Sequence, residues 1–93
     1  MNEIELFNRL ARHARPAFQD YKPLETLDIP FAETGLDSMD SLMITIYLSE
    51  LYGVEEAVAK EFKYTTPAEL FELVKANKTK EPTSVEEAME QVQ

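Results

Sequence analysis

The stretch from Ser38 to Tyr52 most constrains what this chain can fold into. It opens on Asp37-Ser38, closes on Gly53, and contains neither proline nor glycine. Met39, Leu42, Met43, Ile44, Ile46, Tyr47, Leu48, Leu51 and Tyr52 fall on nearly every side when set at helical spacing. A helix that is apolar on most sides must be central, with other elements packed around it. Asp37 is the expected N-cap, and Gly53 the residue that ends the helix in the left-handed region. Ser38 is thereby presented at a helix N-terminus. First-turn N–H groups lack intrahelical partners there and the dipole is positive, a favourable place to carry a phosphate.

The flanking segments read as elements that pack around this helix. Asn2-Glu3-Ile4-Glu5 forms an N-cap with a Glu three residues on, and Ile4, Phe7, Leu10, Ala11 and Ala14 recur as one helical stripe. Arg9, Arg12 and Arg15 fall in the second half of this helix, where the negative end of the dipole suits them without any binding role. Pro16 marks its expected end, because the preceding residue is pushed away from helical angles. Residues 16 to 37 then form a long connection punctuated by Pro16, Pro23, Pro30 and Gly35. Phe18, Tyr21, Leu24, Leu27, Ile29, Phe31 and Leu36 are expected to pin it over the helices, with one helical turn at Leu24 to Leu27. Loops this long in a compact domain are usually functional. A third helix is expected from Glu55 to Lys63, with Val58 and Phe62 inward. Thr66-Pro67-Ala68-Glu69 starts a fourth, running to about Asn77 on Leu70, Phe71, Leu73 and Val74. Lys78 to Pro82 reads as a polar hinge. Ser84 then caps a last amphipathic helix with Val85, Ala88, Met89 and Val92 on one face, which either docks or frays. No β pattern, heptad or internal repeat is present, so the expected class is all-α, a small helical bundle.

Composition narrows the function. Ninety-three residues make one small domain, and the absence of cysteine removes disulfides and thiolate metal sites. His13 is the only histidine and no G-x-S-x-G elbow exists, so a solvated histidine near a helix end is the preferred reading and a hydrolase using Ser38 lacks a placed base. A calcium loop at Asp37 and Asp40 lacks the alternating acids and the Glu twelve residues on; no metal is expected. No apolar run approaches a membrane span and no signal-peptide pattern opens the chain, so a cytoplasmic protein is expected. The net charge of −9 argues against nucleic acid. Its distribution says more: between Lys22 and Lys60 there are eight acids and no basic residue. Acidity gathered around one hydroxyl suggests a surface that steers basic partners to it, though it also serves plain solubility. One stripe of the central helix is mixed. Asp40, Met43, Tyr47 and Glu50 share a face at i, i+3, i+7 and i+10, and look like a partner-contact surface, with Met as its adaptable element.

Gly35-Leu36-Asp37-Ser38-Met39 resembles the Asp-Ser-Leu attachment motif of acyl carrier proteins, at the start of their second helix. The likeness extends over roughly residues 3 to 76: a helix before a long loop, Tyr52-Gly53 ending the central helix, a short third helix, and Tyr64-Thr65-Thr66 leading into the fourth. It implies a four-helix acyl carrier domain over residues 1–77. Residues 78–93, the hinge and short C-terminal helix, have no counterpart in the minimal family fold. It implies that Ser38 is joined by a phosphodiester to 4′-phosphopantetheine from coenzyme A, with Asp37 beside it, and that the arm's thiol holds an acyl group as a thioester. The reactive sulfur is then imported, and the chain is no enzyme. Asp40 and Glu50 match acids on the partner-recognition face, and Ile46 and Tyr64 match positions that help line an acyl pocket. Implied partners are a phosphopantetheinyl transferase and acyl-loading and ketosynthase-type enzymes, met by a monomer. Met43 and Ser49 stand where many fatty-acid carriers have further acids, and Tyr47 where they commonly have a small residue. That points to a stand-alone carrier of a specialised pathway, such as polyketide, unusual lipid or aryl-polyene synthesis. A peptidyl or aminoacyl carrier is the near alternative, and those tend to be less acidic. An unmodified helical interaction module is the alternative from another class.

Overall fold

Asn2 starts the first helix, its Oδ1 accepting the Glu5 N–H at 3.0 Å. The computed structural model describes residues 1–15 and 21–92. Pro16 and Phe18, to which the sequence assigned a helix stop and a core anchor, lie outside the described residues. Among those described there are five helices and no strand: α1 (Glu3–Ala14), α2 (Ser38–Tyr52), α3 (Glu56–Ala59), α4 (Pro67–Ala76) and α5 (Val85–Val92). None is long and apolar enough to cross a membrane.

Helix α2 is the hub that its composition demands, since each of the other four packs against it. It begins and ends where its caps place it. The Asp37 carboxylate accepts the Asp40 N–H at 2.9 Å, and Asp40 returns a bond to the Asp37 N–H at 3.0 Å. Gly53 takes φ 66° and closes the other end. Ile44, Leu48, Leu51 and Tyr52 are buried with Leu6, Phe7 and Leu10 of α1 and Leu70, Phe71 and Val74 of α4. One stripe of α2 is left uncovered: Met39, Leu42 and Ile46 are 62%, 51% and 40% exposed. Helix α4 likewise starts on a reciprocal cap, Thr66 with Glu69, and carries Pro67 in its first turn.

The long connection is held by polar anchors that hydrophobic periodicity does not reveal. Asn8 Oδ1 accepts both the Tyr21 hydroxyl at 2.6 Å and the Leu24 N–H at 2.8 Å, while its Nδ2 donates to the Leu24 carbonyl at 3.1 Å. The helical turn expected at Leu24 to Leu27 is therefore absent. Both polar groups of Leu24 are engaged by Asn8, and the Leu27 carbonyl accepts the Ala68 N–H at 2.9 Å, so neither closes a local turn. A 3₁₀ turn forms instead at Phe31–Glu33, after Pro30. Phe31 sits between Phe7, edge-on with ring centroids 5.8 Å apart, and Tyr64, tilted at 5.4 Å.

The expectation for the third helix is corrected. Helix α3 is one turn long rather than reaching Lys63, and Val58 points outward at 37% exposure while Ala59 and Phe62 pack on the core. The hinge does not swing free. Thr79 and Lys80 donate N–H groups to the Tyr52 carbonyl at 2.9 and 3.2 Å, and Thr79 Oγ1 donates to the Gly53 carbonyl at 2.7 Å. Helix α5, given a choice between docking and fraying, docks on α1 and α2 with Val85 and Ala88 buried.

Candidate functional site

The site begins at the turn before α2. Thr34 Oγ1 donates to the Phe31 carbonyl at 2.7 Å and accepts the Leu36 N–H at 3.2 Å, and Gly35 takes φ 84°, which only glycine adopts without strain. Leu36 is buried, so the turn is pinned on one side of the motif while Asp37, Ser38 and Met39 emerge into solvent. Ser38 is the first residue of α2, and no described residue hydrogen-bonds its hydroxyl. The hydroxyl thus stands free at the positive end of the central helix.

Its surroundings are acidic but partly neutralised. Arg15 Nη1 lies 3.0 Å from Asp40 Oδ2 and 4.0 Å from Asp37 Oδ2. The Asp40 N–H first, and the Arg15 guanidinium after it, hold the Asp37 carboxyl below its ordinary range. Two carboxylates would otherwise repel a phosphate on Ser38; the arginine and the open end of the helix offset that repulsion. The residues present therefore fit a phosphodiester at this hydroxyl. Dipole complementarity understated Arg15, which ties the end of α1 to the cap of α2.

The four residues expected to form one contact face do not emerge together. Asp40 is 5% exposed, turned inward because it caps the helix and meets Arg15. Tyr47 is half-buried against the core, its ring edge-on to His13 at 5.2 Å. His13 in turn is no solvated end residue, since its Nε2 lies 3.2 Å from the Val92 carbonyl of α5. Met43 is half-buried and Glu50 exposed. The apolar side chains that do reach solvent are those of Met39, Leu42 and Ile46.

Ile46 lines two adjoining clefts of about 260 Å³ each between α2 and α3. Leu42 and Thr45 wall the one nearer Ser38, and Ser49 and Val54 the one farther away; Glu56 and Ala59 face both. Tyr64, expected beside Ile46, stands behind this wall instead. Its hydroxyl is 2.5 Å from Thr45 Oγ1, which donates to the Ser41 carbonyl at 2.8 Å. Thr45 was passed over in the sequence, and Ser49 was noted only for standing where an acid is common, although two hydroxyls four residues apart on a largely apolar helix are a legible signal. No cluster of metal-ligating side chains occurs among the described residues.

A family model described as the phosphopantetheine attachment site matches residues 20–74, which takes in the cap, α2 and both clefts. No curated protein and no solved structure matches the chain.

Proposed function

Because the chain belongs to the phosphopantetheine attachment-site family of carrier proteins, we propose that Ser38 bears the arm and that its cargo is an acyl group. Carrier domains of this family bear 4′-phosphopantetheine and are not catalysts. When bound, that group supplies a thiol for thioester formation, which a chain without cysteine lacks. The observation that carries the assignment to Ser38 is its free hydroxyl at the first residue of the capped central helix. Ser38 Oγ would form the phosphodiester as the pyrophosphate bond of coenzyme A breaks, with adenosine 3′,5′-bisphosphate leaving and a phosphopantetheinyl transferase taking the hydroxyl proton. Asp37 and Asp40 hold the first turn of α2 rigid, so the hydroxyl is presented without a search over loop conformations.

The acyl reading rests on charge. Eight acids and no base between Lys22 and Lys60 favour basic partner enzymes and weigh against a peptidyl or aminoacyl carrier. Loading and ketosynthase-type enzymes would meet the exposed stripe of Met39, Leu42 and Ile46, flanked by Met43 and Glu50, while Asp40 and Tyr47 support that surface from within. An apolar stripe where acids are common in fatty-acid carriers favours a specialised lipid or polyketide-type pathway. Ile46 would line the acyl cleft, with Tyr64 bracing Thr45 behind it.

Intact mass after incubation with coenzyme A and a broad-specificity phosphopantetheinyl transferase tests the reading. One covalent adduct is expected, absent from Ser38→Ala. A folded protein that takes up no adduct overturns it in favour of an unmodified interaction module.

A further inference from the structure

Among the described residues, Lys60 is the one base on the walls of the two clefts, and it stands on the one nearer Ser38, which it shares with Leu42 and Thr45 of α2. It follows the single turn of α3 and ends the acidic stretch that begins after Lys22. Its ion pair is loose: Nζ lies 3.7 Å from Glu56 Oε1, and the two side chains are 71% and 86% exposed. A pair so exposed contributes little, so the ammonium can leave it at small cost. Leu42 is four residues after Ser38 and shares its face of α2, with Cβ atoms about 5–6 Å apart. A phosphate on Ser38 extends beyond that hydroxyl, and the flexible four-carbon stem of Lys60 is long enough to meet it. Arg15, the other cation near the site, is placed differently. It is bonded at 3.0 Å to Asp40, whose side chain is 7% exposed. Asp40 is two residues after Ser38, about 200° round the helix and so on the opposite side. Arg15 therefore neutralises the cap from behind and leaves the outer side of Ser38 to another charge.

We propose that Lys60 is a positioning residue for the arm: it exchanges Glu56 for the phosphodiester on Ser38 and draws the root of the arm to the α3 side of the central helix. The proposal rests on the carrier reading and adds a residue to its site. A phosphodiester is an anion with two non-bridging oxygens, and an ammonium that reaches it makes a charge-assisted hydrogen bond, stronger than the 3.7 Å pair it replaces. The exchange is local, because Lys60 and Glu56 are joined through their side chains across one helical turn and neither is buried. Glu56 then stands unpaired on the rim, so loading uncovers one more acid for a basic partner. Such a partner frees the arm by outcompeting a single exposed lysine, which makes Lys60 a weak catch rather than a lock.

The experiment prepares the protein with and without the arm as the parent, Lys60→Gln and Lys63→Gln, each confirmed by mass. Lys63 is an exposed base that lines neither cleft, so its variant controls for net charge. Both substitutions replace exposed side chains, which leaves the fold intact. The ε-methylene NMR signal of Lys60, identified by its absence from Lys60→Gln, should move on loading more than that of any other lysine. The phosphorus resonance of the loaded protein should differ between the parent and Lys60→Gln and coincide between the parent and Lys63→Gln. Added sodium chloride should bring the parent and Lys60→Gln resonances together as the Debye length falls to about 3 Å near 1 M. A Lys60 signal that stays in place, or a phosphorus resonance that Lys60→Gln and Lys63→Gln shift equally or not at all, overturns the proposal and leaves the carrier reading standing. Absence of any adduct overturns both.

Discussion

The Asp40 carboxylate meets two donors at once, the Asp37 N–H and the Arg15 guanidinium, each at 3.0 Å. Its side chain is 7% exposed, and replacing it with alanine removes the acceptor that the Asp37 N–H and Arg15 Nη1 share. Asp40→Ala should therefore cost about 1–3 kcal/mol in urea unfolding. Asp40→Asn, which keeps an acceptor for the N–H, should cost less. Equal losses from the two would mean that the charge on Arg15, rather than the cap, sets the effect. This residue also shows where reading the sequence succeeds and where it stops. Asp37 and Ser38 were legible as the start of a helix because capping is local, whereas Asp40, the other half of that cap, was read as a contact-face residue. The inward turn of Asp40 depends on Arg15, which is distant in the chain, and no periodicity announces such a partner. Asn8 was invisible for the same reason: it looks like an ordinary polar residue on an amphipathic helix until Tyr21 and Leu24 fold onto it.

At the scale of elements, the reliable boundaries are those with a stop built into the backbone. Gly53 ends α2 at φ 66°, and a Cβ there would fall on Thr79 Oγ1. Gly53→Ala should lose about 1–2 kcal/mol from the left-handed conformation alone, measured as a lowered denaturation midpoint, and more from the displaced hinge. Gly35→Ala bears the backbone strain at φ 84° without that hinge contact, so a smaller loss is expected there. Helix α3 has no such stop, and its apolar residues were too few to show that it is only one turn. The fourth helix carries a titratable start. Glu69 Oε1 accepts the N–H groups of Thr65 at 2.7 Å and Thr66 at 3.0 Å, and these bonds hold its carboxyl below the ordinary range. A depressed pKa means that the charged form is favoured by folding, so this stabilisation is present above the ordinary glutamate range and fades as pH falls through the depressed value. The stability of the parent should exceed that of Glu69→Gln at neutral pH, and the two should converge in acid. A difference that persists unchanged in acid would assign the effect to shape rather than charge.

For the whole molecule, the governing quantity is a net charge of −9 on a single small core. Helix α5 extends that core by burying Val85 and Ala88 on α1 and α2, so the segment after the hinge adds apolar contact as well as acid. Attraction between opposite charges is sparse: among the described residues the ion pairs involve Arg15, Lys60, Lys75 and Lys78, and the Lys60–Glu56 pair is largely exposed at 3.7 Å. Exposed pairs of this kind contribute little. Repulsion among the acids between Lys22 and Lys60 is unopposed within that segment, so the long-range electrostatic energy of the fold is unfavourable. Added sodium chloride should therefore raise the melting temperature as the Debye length shrinks to about 8 Å near 0.15 M. The rise should be steepest at low ionic strength and should flatten once separations between acids exceed the screening length. The Arg15–Asp40 contact, with one partner buried, is screened less and should hold through the series. If the melting temperature falls with salt instead, the few cations outweigh the acidic field, and the charge pattern around Ser38 would have to be explained by partner steering alone.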